Sequence, residues 1–585
     1  MSLPSSSRYH RSQTSHALLC AAGYFAQSCG LIRTMRSRLH VPMKTVDHTP
    51  ADKLLTFALY IANGMEALPE AEKGHHPLST DNVLAQSWDQ LSFPHHTGVN
   101  TLLQRLTDGN VAEVEQVIND VSEPFLQQDI QAARRGGDVV LILDLTGEPV
   151  TDQSQTYPET AYGYMDGTLE KGYQLAAVSL RGPHHRTFLA GFHHPGNTVS
   201  APCLHELIAA SEARVGHPRR RSELIDIRIA AIEQERERAL RLAQEHEQKR
   251  QAAVARRERC QQSLTETEAT WQDMEAHCDG NQPLAPTGRL ACLRRQRETW
   301  QHMAQRAEQQ SVRATTMVQA HQATVEYLQQ QIAELRQYQA RLEAENASTA
   351  TVLPIRLILD AGFTTAENMT WLIEQGYDMD GKPHAPAVAP ALHRRAEREP
   401  DVQVNRNTTM IEVGGYQMAG CPYPLRWALC CQKQGQRVRY EAMFSYRTGQ
   451  RPTLRQWFRD YHQRADVEAG FKQGKGIFGL GRFHTRSKNG IRVQEILVLF
   501  ACNFMAWLRD WLVRQPSNRF LAQKGIKELV RVAGQAEATA TINGMGGLLC
   551  FDARGPYPGQ RLYMSLLPIQ PEPTAFRRSQ FFNSS

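Results

Sequence analysis

The chain has 585 residues, 41% of them hydrophobic and 22% charged, a composition that fits a globular protein of several domains. No apolar run approaches the 18 or so residues that a membrane span needs, which argues against an integral membrane protein. The formal net charge is only +6, but residues 433–495 hold 14 Lys or Arg against 5 Asp or Glu. This local excess predicts a polyanionic partner there.

The first 46 residues contain no Asp or Glu and include the apolar run Ala17 to Ala26. This stretch superficially resembles a secretion or transit signal. We expect instead a basic disordered tail over residues 1–46, because the remaining sequence has intracellular features. Among these, the 11 cysteines show no metal-finger spacing, and the adjacent pair Cys430 and Cys431 suits neither a disulfide nor a zinc site. They predict reduced thiols in a cytoplasmic protein.

Residues 47–136 contain apolar residues at helical spacing and predict an α-helical domain. Helices over Asp81–Trp88 and about Gly98–Leu106 flank a break at residues 92–94. This pattern allows a helix-turn-helix for DNA binding, and a plain helical packing domain fits it equally well. We assign residues 47–136 as a DNA-binding domain because they precede the catalytic core predicted below.

Two apolar runs, one ending at Asp144 and the other at Asp360, are almost identical in character. Short runs rich in branched residues predict strands that are buried on both faces of a sheet. Side by side, such strands place the two aspartates at the same level. With Glu468 from a packed helix they form three carboxylates around one point, which repel one another unless a cation neutralises them. Hard oxygen ligands of this kind select Mg²⁺ or Mn²⁺.

Residues 222–346 carry two apolar stripes with steps of three and four, separated by the breaker Asp279–Pro286. The arms are nearly equal in length, so the chain returns to its starting point. We therefore predict an antiparallel coiled-coil hairpin inserted between the two halves of one core domain, residues 137–221 and 347–515.

The second half of the core contains residues 378–450, which read as a β-rich insert with strands at Leu425–Cys431 and Arg437–Tyr446. Residues 491–513 predict an apolar helix against the core. The last segment, residues 516–585, predicts a small appendage that ends in strands.

Four residues, Tyr461, Arg464, Glu468 and Lys475, have spacing that places them on one face of a continuous helix. At about 100° per residue they lie at roughly 0°, 300°, 340° and 320° around its axis. A hydroxyl, two cations and a carboxylate on one face are suited to hold a phosphate beside a metal ion.

Together, the two strand aspartates and the pattern Tyr-x2-Arg-x3-Glu-x6-Lys resemble bacterial insertion-sequence DDE transposases of the YREK (IS4-like) group. The resemblance covers about residues 137–215 and 351–515. It implies an α/β fold with a ribonuclease-H-like mixed-sheet core, which the coiled-coil hairpin interrupts and an α-helical N-terminal domain precedes.

The resemblance also implies site roles. Asp144, Asp360 and Glu468 would bind two Mg²⁺ or Mn²⁺ ions and catalyse cleavage at element ends and strand transfer into target DNA. Binding of DNA near the cut end is assigned to Tyr461, Arg464, Lys475, Lys472 and Trp427. Trp427 is the candidate for stacking on an unpaired base, with a core tryptophan as the alternative.

The expected partner is double-stranded DNA, both terminal inverted repeats and target, bound by a homodimer. The hairpin is expected either to pair with the second protomer or to reach along flanking DNA, with an inert insertion as the alternative. No membrane is expected, because no apolar run is long enough to span one. No nucleotide is expected, because the glycine-containing run 470–476 lacks the spacing of a phosphate-binding loop. A nucleoid-associated bacterial protein in the cytoplasm follows. Alternatives are a stand-alone ribonuclease-H-like metal nuclease and a coiled-coil DNA-binding scaffold.

Overall fold

The computed structural model describes residues 10–44, 47–165, 167–182, 186–276, 287–348, 353–384, 387–396, 401–435, 437–542, 546–565 and 569. It divides the chain into two compact units, Met1–Arg219 with Thr351–Ser585, and Arg220–Ala350. The first is a mixed α/β body with helices at its N-terminal end, and the second is a pair of long helices. The predicted fold class is therefore confirmed.

Helices make up most of the chain before residue 137. Two of them begin with capping boxes, in which the side chains of Thr49 and Thr107 accept hydrogen bonds from the backbone three residues on. The elements are β1 (His10–Thr14), α1 (Ala17–Ser28), α2 (Leu31–Arg38), α3 (Pro50–Ala62), α4 (Glu70–Lys73), α5 (Asn82–Ser87), α6 (His96–Arg105) and α7 (Asp108–Gly136).

The first half of the core sheet follows, and a helix covers it. Its elements are β2 (Val139–Pro149), β3 (Ala161–Met165), β4 (Thr168–Arg181), β5 (Arg186–Pro195) and α8 (Ser200–Val215). Strands β2, β4 and β5 form an antiparallel meander. Strands β4 and β5 are joined as a β-hairpin, in which Arg181 pairs with Arg186.

The second unit consists of α9 (Ile225–Ala276) and α10 (Thr287–Ser348). The helices run antiparallel, since Arg336 pairs with Glu233 and Gln339 donates to Asp226. At 1.5 Å per residue they are roughly 80 and 90 Å long. The buried seam contains residues from the predicted stripes: Ile225, Ile229, Ala239, Ala243, Ala253, Cys260, Ala307, Ala314, Leu328, Ile332, Leu335 and Leu342. The predicted breaker at residues 279–286 lies outside the described residues.

The sheet resumes after the helix pair. The next elements are β6 (Ile355–Leu359), α11 (Ala366–Glu374), β7 (Asp378–Gly381), α12 (Val388–Ala396), β8 (Asp401–Asn405), β9 (Thr408–Val413), β10 (Arg426–Gln434) and β11 (Arg437–Tyr446). Strand β6 is parallel to both β2 and β7. In the order β5-β4-β2-β6-β7, β4 runs antiparallel to the other four strands, which makes the mixed sheet predicted for a ribonuclease-H-like core.

Strands β8 to β11 were expected as a β-rich insert in residues 378–450, and both predicted strand positions are occupied by β10 and β11. They are not a separate body, however. Strand β11 pairs with β7, so the same sheet continues as β7-β11-β10-β9-β8. The insert is thus an extension of the core sheet.

The chain ends with α13 (Leu454–His462), α14 (Ala465–Ile477), α15 (Lys488–Val513), α16 (Ile526–Glu528), β12 (Ala538–Ile542), β13 (Gly546–Phe551) and β14 (Arg561–Ser565). Among the described residues, α15 alone is long and apolar enough to cross a membrane, contrary to the expectation that no segment would be. Its most apolar window is 72% buried inside the protein, as in a core helix. Its position confirms the apolar helix predicted at 491–513.

The prediction of a basic disordered tail over residues 1–46 is wrong for its described part. Helix α1 is buried along the predicted apolar run, and the Phe25 ring lies 5.1 Å from that of Phe504 and 5.3 Å from that of Trp511 in α15. Strand β1 pairs with β12, so the two ends of the chain share one four-stranded sheet. The run is apolar because it belongs to the core, and the lack of acids gave no information about order.

Candidate active site

The two strand aspartates lie next to each other because β2 and β6 are parallel and in register. Leu143 pairs with Leu359, so the next residue of each strand, Asp144 or Asp360, emerges at the same level of the sheet. Asp360 directly follows β6, as predicted. Asp144 does not end its strand, since β2 leaves β6 there but continues against β4 as far as Pro149.

The predicted single helix through the Tyr461 quartet is wrong. Helix α13 ends at His462, and α14 begins at Ala465 with Arg464 as its N-terminal cap. Tyr461 therefore belongs to one helix, and Glu468 and Lys475 to the next. Arg464 and Glu468 remain one turn apart, which is the spacing at which helical side chains meet.

Arg464 brings the three acids together. Its guanidinium lies 3.6 Å from Asp144 Oδ1, 3.4 Å from Asp360 Oδ2 and 2.5 Å from Glu468 Oε1. The acids come from β2, from the end of β6 and from α14, and they are more than 300 residues apart at the extremes. The carboxylates thus converge on one point, at which one positive charge faces three negative ones.

The electrostatics of this group are dominated by burial and by the excess of acids. Burial raises the pKa of Asp144 to about 7; Arg464 opposes this rise, and the neighbouring Asp360 and Glu468 add to it. The side chains of Asp360 and Glu468 are 40% and 42% exposed, so the site opens to solvent on that side. For Arg464, burial lowers the pKa, the carboxylates raise it, and the net change is upward.

The acids fit a divalent cation by donor type, since carboxylate oxygens are the ligands of Mg²⁺ and Mn²⁺. They surround a cationic group already. Some groups of ligand atoms in the described residues lie within 4.8 Å of one another. The oxygens of these three acids do not form such a group. The guanidinium occupies the middle of the group, so binding of a metal ion requires Arg464 to move aside.

The residues predicted to bind DNA differ in accessibility. On α14, Lys472 is exposed and Lys475 is half-buried. Tyr461 is only 3% exposed, its hydroxyl has no hydrogen-bond partner, and burial raises its pKa. Lys382 Nζ lies 5.8 Å from the centre of its ring. In this conformation the Tyr461 side chain is buried and is not available to DNA.

Trp427 does not fit the role of a stacking platform. It lies on β10, is 1% exposed, and packs edge-on against Tyr416 and beside Phe444. Tyr416 and Phe444 would have to move away before a nucleotide could reach the indole. The alternative reading, a core tryptophan, is correct.

The sequence reading also missed a buried charge network beside the site. Asp380 on β7 is fully buried and accepts hydrogen bonds from Arg356 at 3.0 Å and Arg447 at 2.5 Å. Arg447 also pairs with Asp460 on α13 at 3.2 Å. The network ties β6 and β7 to the helix that carries Tyr461. Arg356 was the available signal, because an arginine within the apolar run Ile-Arg-Leu-Ile-Leu requires a buried acid.

A comparison with known protein families matches a part of the chain that follows the first aspartate. The family model described as transposase DDE domain matches residues 301–504. This range includes Asp360, Arg464 and Glu468, and leaves out Asp144. No curated protein matches the chain significantly. Residues 301–504 are therefore a transposase DDE domain, which implies DNA transposition.

Proposed function

We propose that the protein is a transposase of the YREK (IS4-like) group that cleaves DNA at the ends of its element and joins the 3′-hydroxyl ends to target DNA. The observation that carries this proposal is the shared contact of Asp144, Asp360 and Glu468 with Arg464. Three acids from distant parts of the chain have no reason to meet at a half-open site for stability alone, since their mutual repulsion costs free energy.

The three acids would hold the two divalent cations. When bound, these ions supply an activated oxygen nucleophile and stabilise the leaving oxygen of the phosphodiester. Two neighbouring strands and a helix position the acids before DNA binds, and Arg464 would have to move aside for the cations. Arg464 balances the charge of the acids in this structure, and its guanidinium would bind a phosphate group of the DNA by paired hydrogen bonds.

Lys472 and Lys475 on α14 extend this positive surface toward the DNA backbone, which Lys neutralises as a point charge. The excess of cations in residues 433–495 fits the same partner. Tyr461 is assigned a positioning role under Arg464, because its hydroxyl is buried.

The proposal also covers the oligomeric state of the protein and its location in the cell. The chain acts on terminal inverted repeats as a DNA-bound homodimer in the bacterial cytoplasm. Sedimentation of the chain with and without end DNA, compared with a variant lacking residues 226–342, tests whether the helix pair contributes to the dimer. Unchanged assembly in that variant removes this role.

The cleavage test uses plasmid DNA that carries the sequences flanking the reading frame on both sides. With Mg²⁺, the wild-type chain is expected to cut at the element ends and join them to a second plasmid. Asp360→Asn retains end binding and loses both reactions. Asp466→Asn is the matched control, because Asp466 lies on the same helix as Glu468 but is 54% exposed and faces Arg181 at 3.7 Å.

Cleavage by Asp360→Asn at the wild-type rate would overturn the assignment of the site. Nicking without any joining, by a chain that is otherwise active, would instead favour the stand-alone nuclease.

A further inference from the structure

A second cluster of chemically active side chains lies inside the protein, four residues along β2 from Asp144. It consists of Glu148 on β2, His193 on β5 and Glu495 on α15. One ligand atom from each residue lies within 4.8 Å of the other two. The transposase reaction described above uses none of these groups.

The cluster is almost completely shielded from water. Glu148 is 0% exposed and Glu495 is 3% exposed, and the His193 side chain is 6% exposed. His193 Nδ1 lies 2.7 Å from Glu495 Oε1, and the Tyr173 ring packs 4.3 Å from the imidazole. Two carboxylates and an imidazole therefore share one dry pocket between two strands and a helix.

The burial of Glu148 is the feature of this cluster that its protein contacts do not explain. Neither of its buried carboxylate oxygens has a well-directed hydrogen-bond partner, and the carboxylate of Glu495 lies close to it. A buried carboxylate without partners costs several kcal/mol unless it is protonated or bound by a cation. The unsatisfied oxygens point to a missing ligand.

We propose that Glu148, His193 and Glu495 form a binding site for one divalent first-row transition-metal ion, with Zn²⁺ as its probe. Two carboxylates and one neutral imidazole give charge balance with a dication, and their oxygen and nitrogen atoms are standard Zn²⁺ ligands. The imidazole disfavours Mg²⁺, which takes oxygen ligands.

Such an ion would fasten α15 to the two strands that flank it. Because β2 carries both Asp144 and Glu148, the ion would also fix the strand on which the candidate active site is built. The site is separate from the acids around Arg464 and does not depend on the proposed reaction.

The experiment is equilibrium dialysis of the full chain against Zn²⁺ with a large excess of Mg²⁺, with bound zinc read by elemental analysis. The Mg²⁺ saturates sites made only of carboxylates. Wild type is expected to retain a tightly bound Zn²⁺, and Glu148→Gln and Glu495→Gln to bind it at least about tenfold more weakly. Glutamine resembles a protonated glutamate in shape and charge, so both variants are expected to fold.

Neighbouring residues offer matched controls. Among the described residues, two other ligand clusters are His194 with Cys203 and Glu206, of which Cys203 is buried, and Glu72 with His95 and His96, of which His95 is exposed. His194→Asn and Glu72→Gln should retain the zinc. Zinc should also raise the melting temperature of wild type and of these controls, but not that of Glu148→Gln.

Two results would overturn the proposal. In the first, wild type binds no Zn²⁺ when Mg²⁺ is in excess. The cluster would then be a pair of carboxyl groups, Glu148 and Glu495, that share a proton. In the second, Glu148→Gln binds zinc as wild type does, so that the metal belongs to one of the other clusters.

Discussion

Asp360 and Asp380 lie on neighbouring parallel strands, yet their charges are balanced in opposite ways. Asp380 is fully buried and has two guanidiniums within 3.0 Å, those of Arg356 and Arg447. Asp360 is 40% exposed and shares the single guanidinium of Arg464 with two other acids. An acid that stabilises a fold is supplied with enough cations inside the protein. Acids that outnumber their cations at an opening are arranged to receive one from outside.

The largest effect on stability is expected at the balanced acid. Asp380→Asn removes the fully buried carboxylate that Arg356 and Arg447 share and leaves them only Asp138 and Asp460, so it should cost up to about 3–5 kcal/mol. Asp360→Asn should leave stability nearly unchanged, because its side chain is partly exposed and Arg464 keeps two carboxylates. Thermal unfolding of both variants measures the difference. Equal losses would show that the two acids do not differ in the way described.

The second prediction concerns the pH dependence of stability, to which the acids that lack enough cations should contribute. Burial raises the pKa of Glu495 to about 8 and contributes most to raising that of Asp144 to about 7. Between an ordinary carboxyl pKa and these values, the folded chain holds protons that the unfolded chain has lost. Stability should therefore fall as pH rises from about 4.5 to about 8.

Melting temperatures measured across this range, with a chelator present, test the expectation. Glu495→Gln should show a smaller fall than wild type because one of the raised groups is gone. Glu206→Gln, on α8, is the control and should follow wild type. A steeper fall in Glu495→Gln would contradict the assigned direction.

The smallest effect concerns Trp427, whose assigned role changed from DNA contact to core packing. Trp427→Phe should lower stability by about 1–3 kcal/mol through lost packing, and should leave affinity for end DNA unchanged. Lys472→Ala is the contrast, because loss of one phosphate contact reduces the salt dependence of binding by about one unit of slope. Binding isotherms at several salt concentrations check both. Weaker binding by a folded Trp427→Phe would restore the original role.

The amino-acid sequence predicts much of the fold because its strongest patterns are local. The apolar runs before Asp144 and Asp360 become parallel strands, and the striped segment becomes a helix pair. The break between α13 and α14 escaped prediction because residues 461–475 keep helical spacing on both sides of Gln463. Burial was the other weak point: spacing cannot show that Tyr461 and Trp427 face the core, or that the run in α1 packs against α15.

The candidate site likewise has residues that the sequence could predict and contacts that it could not. Its three acids could be proposed from two strand ends and one spacing motif. The role of Arg464 as their common partner could not, since an ion pair among residues 144, 360 and 464 depends on tertiary packing. The same holds for Glu148, His193 and Glu495, which share no motif and meet only where β2, β5 and α15 pack together.

Asp144 provides the most direct test, because it lies outside the matched transposase domain and is placed in the site by the sheet alone. We predict that Asp144→Asn folds, binds end DNA, and loses Mg²⁺-dependent cleavage by at least about a thousandfold, equivalent to ~4 kcal/mol of transition-state stabilisation. Cleavage of the same DNA by Asp144→Asn at a rate close to that of wild type would contradict the convergence of the three acids as the catalytic centre.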